Sequence, residues 1–144
     1  MRILVDADAC PVKEIIVTIA KEYGLPVIMI IDTSHEYCDG YSEVITVSKG
    51  SDAADFALVN LTGRGDIVVS QDYGVAAMAL SKGSKAMDQN GMIFSAENID
   101  GLLMGRHMNK KIRSAGGRTK GPAKREKSQN KSFEKTLLEL ISKK

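Results

Sequence analysis

Tryptophan is missing altogether, and aromatic residues supply only 5% of the 144 positions. A core without large rings must be filled by Val, Ile, Leu, Met and Ala, a composition suited to buried parallel strands covered by helices on both faces. Cysteine is as scarce: only Cys10 and Cys38 occur, too few for a disulfide framework, and they point to a reducing compartment. No apolar run approaches the roughly 18 to 20 residues that span a bilayer. The first residues lack the basic start and long apolar stretch of a secretory signal, so a cytoplasmic protein with no membrane partner is expected. No internal repeat or low-complexity tract interrupts the chain. Its length and 43% hydrophobic content fit a single domain over 1–144.

What is abundant is charge, and it is unevenly distributed. The net charge of +2 averages two opposite halves. Residues 1–100 carry seven Lys or Arg against fifteen Asp or Glu, a net of −8, and residues 101–144 carry thirteen against three, a net of +10. An acidic body with a basic C-terminal segment, from about 106 to 144, is expected where one part holds cations and the other meets the phosphates of a nucleic acid. A solvated tail is the plainer alternative.

Strand and helix signals alternate. Arg2 to Asp6 is a short β-branched run that stops at acidic residues. Pro11 suits a first helical position, and Val12, Ile15, Ile16, Ile19 and Ala20 recur at helical spacing up to Gly24. Pro26 to Asp32 and Glu43 to Val47 read as further strands. Asp52 to Leu61 reads as a well-buried helix through Ala53, Ala54, Phe56, Ala57, Val59 and Leu61. Asp66 to Ser70 is a fourth strand, followed by a turn at Gln71–Gly74 and an Ala-rich helix over Val75 to Ser81. Met92 to Phe94 reads as a short fifth strand, with Ser95 as N-cap of a helix from Glu97 toward Arg113. Gly116, Gly117, Gly121 and Pro122 break the chain into a basic loop, and Ser132 to Ile141 closes it with an amphipathic helix. Connections too long for hairpins imply right-handed crossovers. The expected fold is therefore α/β, three-layered and Rossmann-like, with a mainly parallel sheet of four to five strands. Ligands of such sheets bind beyond the carboxyl ends of the strands, where strand order reverses.

Aspartates collect at that edge. Asp6 and Asp8 follow strand one, two residues apart in extended chain, so their side chains point the same way. Asp52 and Asp55 lie three apart at a helix start and share a face, and Asp72 follows strand four. Singly, Asp8, Asp52 and Asp72 have ready structural roles as caps or turn residues. Jointly they would repel one another in a cleft unless a cation intervenes or some are protonated. Mg²⁺ or Mn²⁺ is the matching cation, because the donors are hard oxygens and no His/Cys spacing suits zinc. Such a site can activate water and neutralise a phosphate, so phosphodiester hydrolysis is the expected chemistry. Asp6 and Asp72 are then direct ligands, Asp8 and Asp55 act through water or a second ion, and Asp52 orients the nucleophile. Ser70 and Gln71 suit either a hydrogen bond to a phosphate oxygen or a turn role at the strand end.

The sequences DADACPVK at 6–13, KGSDAAD at 49–55, SQDYGVAA at 70–77 and RHMNKKIR at 106–113, with GP at 121–122, closely resemble the YaiI/YqxD family of bacterial proteins over essentially the whole chain. That family looks like a branch of the PIN-like and NYN-like nucleases, which bind Mg²⁺ or Mn²⁺ at an acidic sheet edge and cut RNA. The resemblance implies that Asp6 corresponds to the aspartate after the first strand, Asp52 and Asp55 to the central acidic helix, and Asp72 to the aspartate after the fourth strand. One departure is visible: after Asp72 the chain continues Tyr73-Gly74, where many of those nucleases carry a further acidic residue. A nucleic-acid-binding protein of the same fold with an inactive site is the alternative.

Arg106, His107, Asn109, Lys110, Lys111 and Arg113 recur on successive helical turns, and Arg118 and Lys120 continue the basic character. Without interleaved aromatics, these residues suit phosphate contacts rather than base stacking. Cys10 precedes Pro11 as a small packed residue or a thiol favoured by a helix start, and His35 reads as a loop residue. Self-association is left open by the sequence.

Overall fold

The computed structural model describes residues 1–8, 10–34, 36–49, 52–101 and 126–143. The chain runs β1 (Ile3–Asp6), α1 (Lys13–Tyr23), β2 (Val27–Asp32), β3 (Glu43–Val47), α2 (Ala53–Leu61), β4 (Ile67–Val69), α3 (Tyr73–Ser81) and β5 (Lys85–Met87). A further helix, α4, is described over 96–101, and α5 spans Lys127–Ser142. The strands form one five-stranded sheet in the order β3-β2-β1-β4-β5, and every pair is parallel. The expected fold class is therefore correct.

Alternation along each strand builds two cores. Ile3 and Val5 of β1, Val27, Met29 and Ile31 of β2, and Ile67 and Val69 of β4 face α1 and α5. Leu4, Ile28, Ile30 and Val68 face the opposite way and pack with residues of α2, α3 and α4. Strands buried on both faces read as unbroken apolar runs, which is why β1, β2 and β4 stand out in the sequence. Each fully buried Ile, Leu or Val contributes about 1.5–3 kcal/mol.

Local signals terminate the elements. At Gly24 (φ +67°) the chain turns left-handed, and Leu25 donates its N–H to the Ala20 carbonyl at 2.9 Å, closing α1. Pro11 is not the first helical residue: α1 begins at Lys13 with Val12 as its N-cap, and Cys10 bonds back to the Ala7 carbonyl in a turn before it. Ser95 caps α4 as expected, with Asn98 in the reciprocal role: Ser95 N–H donates to Asn98 Oδ1 at 2.9 Å and Asn98 N–H to Ser95 Oγ at 3.3 Å. The last helix starts earlier than its apolar pattern suggests, at Lys127, where Glu126 N–H donates to Gln129 Oε1 at 2.7 Å.

The fifth strand is the main difference in topology. It is Lys85–Met87 rather than Met92–Phe94, whose Ile93 makes only an isolated antiparallel bridge to Met87. Phe94 is instead a core residue, 2% exposed, and meets the Tyr73 ring edge-on at 6.0 Å.

At the amino end of the sheet, buried Asp66 ties β1 to β4. It accepts from Arg2 N–H at 3.1 Å, Arg2 Nη2 at 2.8 Å and Gly63 N–H at 2.9 Å. Burial opposes its ionisation, but these bonds, led by that from the Arg2 side chain, hold its carboxyl below 3.8. Its stabilisation is therefore complete above that pH and disappears as the medium is acidified further. Asp66→Ala leaves the partly buried Arg2 and Gly63 donors without their acceptor, and a loss of about 1–3 kcal/mol is expected from the urea midpoint at neutral pH.

Candidate active site

From β1, β2 and β3 progress outward on one side, and β4 and β5 progress outward on the other. The crevice beyond the carboxyl ends of β1 and β4 is thus the place where strand order reverses. Asp6 ends β1 and Ser70 follows β4. Asp8 leaves the sheet two residues after Asp6, while Asp72 is the N-cap of α3 and Asp55 lies in the first turn of α2.

These carboxylates meet electrostatically. Asp6 is half-buried, and its carboxyl is pushed up to about 6, first by burial and then by the negative charges of Asp55 and Asp8, with Asp72 adding to them. Ser70, 3% exposed, opposes that shift: its hydroxyl lies 3.4 Å from Asp6 Oδ2 as donor and accepts Asp72 N–H at 3.0 Å. One serine therefore links the ends of the two central strands. Asp72 Oδ1 accepts from Gly74 N–H at 2.8 Å and Val75 N–H at 3.2 Å, so the cap at the start of α3 and the acidic site share a side chain. Asp8 Oδ2 accepts Asp32 N–H at 3.1 Å, fastening the end of β1 to the end of β2.

Two clefts open on this edge. The first, of about 320 Å³, is lined by Asp6, Asp8, Cys10, Val69, Ser70, Gln71 and Gln89. The second, of about 240 Å³, is lined by Asp52, Asp55, Phe56 and Val59 of the α2 segment and Asp72, Gly74, Val75 and Met78 of the α3 segment. Asp52 is the exposed member of the group and caps α2 without a side-chain bond. Among the described residues, no three His, Cys, Asp or Glu side chains stand ready to coordinate a single ion. The donor chemistry, hard carboxylate oxygens whose charges add to burial in raising Asp6, fits a hard divalent cation.

A family model described as "Uncharacterized BCR, YaiI/YqxD family" matches residues 4–143. The chain belongs to the YaiI/YqxD family. Its relatives include the UPF0178 protein of Ruminiclostridium cellulolyticum, 63% identical over 98% of this chain and 92% of that protein. The UPF0178 protein of Lachnoclostridium phytofermentans is 53% identical over 98% and 97%, and that of Exiguobacterium sibiricum 46% identical over 100% and 99%. No solved structure matches.

In this YaiI/YqxD chain the structure sets Asp8, Asp55 and Asp72 within electrostatic reach of Asp6, and Ser70 hydrogen-bonds to Asp6 and to the Asp72 N–H. Residues Arg106, His107, Asn109, Lys110, Lys111, Arg113, Arg118 and Lys120 lie outside the described residues, as does His35. The other aspartates have local roles. Asp39 is opposed by burial yet held at about 2 by hydrogen bonds led by the Tyr37 hydroxyl, and Asp88 accepts from Asn90 and Met92 N–H. Sequence reasoning missed Gln89, which reaches the first cleft from beyond β5 and whose N–H lies 3.4 Å from Gln71 Oε1. It also missed the exposure of Phe56. That ring was expected inside a well-buried helix but is 62% exposed, because only Leu58 of α2 is fully covered.

Proposed function

We propose that this protein is a metal-dependent nuclease of PIN-like type acting on RNA, with Asp6, Asp8, Asp55 and Asp72 as its acidic centre. The observation that carries the reading is the position of Asp6 at the point where strand order reverses, with its carboxyl raised to about 6 by burial first and then by the negative charges of Asp55, Asp8 and Asp72 from separate segments of the chain. Carboxylates crowded this way are destabilised as anions unless something positive is shared between them. Mg²⁺ or Mn²⁺, when bound, would neutralise phosphate charge and make a coordinated water more acidic. Asp6 and Asp72 are the proposed direct ligands, with Asp8 and Asp55 beside them and Asp52 toward solvent. The Ser70 bridge orients Asp6, and the α3 cap fixes where Asp72 starts. Residues of the basic C-terminal segment, from Arg106 to Lys120, would attract the RNA backbone.

The direct experiment incubates the purified full chain with labelled RNA and DNA in Mg²⁺ or Mn²⁺ and compares it with Asp6→Asn and Asp72→Asn. Cleavage by the wild type that both variants lose supports the nuclease. Absence of cleavage under every metal removes it. A second reading, a nucleic-acid-binding protein with an inactive site, is favoured by the lack of a ready three-carboxylate arrangement among the described residues and by the use of Asp72 Oδ1 as a helix cap. Under either reading, RNA affinity is expected to fall steeply between about 50 and 200 mM salt as counterion release loses its driving force. A flat salt titration of the dissociation constant would remove the basic segment from RNA binding.

A further inference from the structure

Sheet edges are where a strand can still take a neighbour, and the two edges of this sheet differ. β5 is three residues long and begins with Lys85. Its outer flank is also occupied: Phe94 N–H donates to the Ala86 carbonyl at 2.9 Å, and Ile93 bridges Met87. Shortness, a lysine and a covering segment are common means of closing an edge against other chains. β3, at the opposite edge, has none of them. Its five residues include no proline, glycine or lysine. On the inner flank it pairs with β2 from Ile28↔Glu43 to Asp32↔Val47. Among the described residues, no backbone segment pairs with its outer flank. Glu43 and Thr46 are exposed, and Val44, Ile45 and Val47 are only half-buried. A β-branched strand whose alternate amides and carbonyls point away from its sheet is a template for one strand more.

We propose that β3 is the contact through which two copies of this chain associate, the two β3 strands pairing antiparallel about a two-fold axis perpendicular to the sheet. Self-complementarity selects a second copy as the occupant. Such an axis keeps each residue on its own face of the sheet, and the register centred on Ile45 is the one that pairs the whole strand. Ile45 then meets the partner's Ile45, Val44 the partner's Thr46, and Glu43 the partner's Val47. Ile45 and Val47 pack against the core under α2 and α3, and Val44 against the core under α1 and α5, so both apolar layers continue across the seam.

Charge is complementary at the ends of the seam. Exposed Lys49 lies two residues beyond Val47, which brings it diagonal to the partner's Glu43, within reach of a long side chain. Two-fold symmetry makes this attraction twice and holds the two glutamates at opposite ends. A seam of one short strand is smaller than the roughly 800 Å² per partner of a standard interface, so the dimer is a reversible one. Val44, Ile45 and Thr46 lie outside the acidic centre, as do Glu43 and Lys49, so the contact stands or falls apart from the nuclease reading.

The test compares wild type, Glu43→Lys, Lys49→Glu and the double variant Glu43→Lys/Lys49→Glu as full chains. Sedimentation equilibrium gives the dissociation constant, and amide hydrogen exchange at low and high protein concentration locates the contact. Wild type is expected to show a concentration-dependent monomer–dimer equilibrium, with the outward amides of residues 43–47 better protected at high concentration. Each single reversal sets like charges against each other at both ends of the seam and is expected to weaken dimerisation by about ten-fold. The double variant restores opposite charges and is expected to recover the wild-type dissociation constant. Glu43 and Lys49 are exposed, so the melting temperature at low concentration should be the same in all four proteins. A wild type that stays monomeric at every concentration overturns the proposal, and protected β3 amides in that monomer would mean that the chain covers its own edge. A dimer that ignores both reversals, or whose β3 amides exchange equally at the two concentrations, uses another surface and overturns it too. Weakening by the single variants without recovery in the double variant removes the pairing register and the proposal with it.

Discussion

Asp6→Asn is expected to make the protein more stable at neutral pH while lowering Mn²⁺-dependent RNA cleavage by at least about a hundred-fold. The two effects have one cause. In the folded chain the Asp6 carboxyl titrates near 6 rather than at 3.8, so folding disfavours its charged form. The stability associated with this group is complete below 3.8 and is lost as pH rises toward 6. After allowance for solvent screening, the loss is about 1–2 kcal/mol. Asp39 and Asp66 shift in the opposite sense, but their contributions vanish only below 3.8. In the window between 3.8 and about 6, Asp6 therefore sets the slope: urea midpoints of the wild type should decline with rising pH, and those of Asp6→Asn should decline less. Asparagine keeps an oxygen for Ser70 and removes the charge. If a divalent cation relieves the crowding, Mn²⁺ should raise the melting temperature of the wild type and leave that of Asp6→Asn nearly unchanged. Identical pH slopes in the two proteins would mean that the Asp6 carboxyl is not raised in the folded chain.

Asp72→Asn separates the remaining roles. Asparagine is as good an N-cap as aspartate, so the bonds to Gly74 and Val75 N–H should persist and stability should hold, while cleavage is lost. Asp72→Ala removes the cap too and should cost about 1 kcal/mol in addition.

The second large effect is structural. Gly91→Ala is expected to destabilise the fold by about 3 kcal/mol, lowering the melting temperature by roughly 6–12 °C for a chain of this size. Gly91 has φ +92°, and a Cβ there would lie 2.5 Å from the Ser132 carbonyl oxygen and 2.7 Å from its carbon. Both neighbours are helix backbone, which cannot turn aside as a flexible side chain could. The Gly91 carbonyl also accepts the Thr136 hydroxyl at 2.7 Å, so the turn after β5 and α5 are held at close range. Displacing α5 would open the core around Phe133 and Leu137, both 0% exposed. Scanning calorimetry of Gly91→Ala checks this directly, and an unaltered melting temperature would show that α5 can shift without loss.

Much of this arrangement could be read from the residues. β1, β2 and β4 are apolar on both faces and end at polar or acidic residues, which marks strand, layer and site together. The fifth strand could not be read, because Lys85–Met87 is short, begins with a lysine and sits at the sheet edge, where pairing depends on a neighbour distant in sequence. Met92–Phe94 has the stronger apolar signal because Phe94 fills the core beside Tyr73. Pro11 satisfies the chemistry of a first helical position, yet the turn at Cys10 delays α1 by two residues. Phe56 was misread for a different reason: apolar content around α2 implies burial on average, and only packing reveals which side is left uncovered. In the acidic site, spacing identified the aspartates, but the bridging by Ser70 and the double use of Asp72 depend on β1 and β4 lying side by side.

That side-by-side placement also governs how the molecule can be made. β1 sits in the middle of the sheet, with Ile3 opposite Val27 on one flank and Ile67 on the other, and its lock at Arg2 reaches an aspartate 64 positions away. As the polypeptide leaves the ribosome, β1 gains its first neighbour early and waits for its second, exposing a row of unpaired amides and apolar residues in the interval. Overproduction that outpaces this late closure should drive the nascent chains into aggregates, and slower synthesis should recover soluble protein.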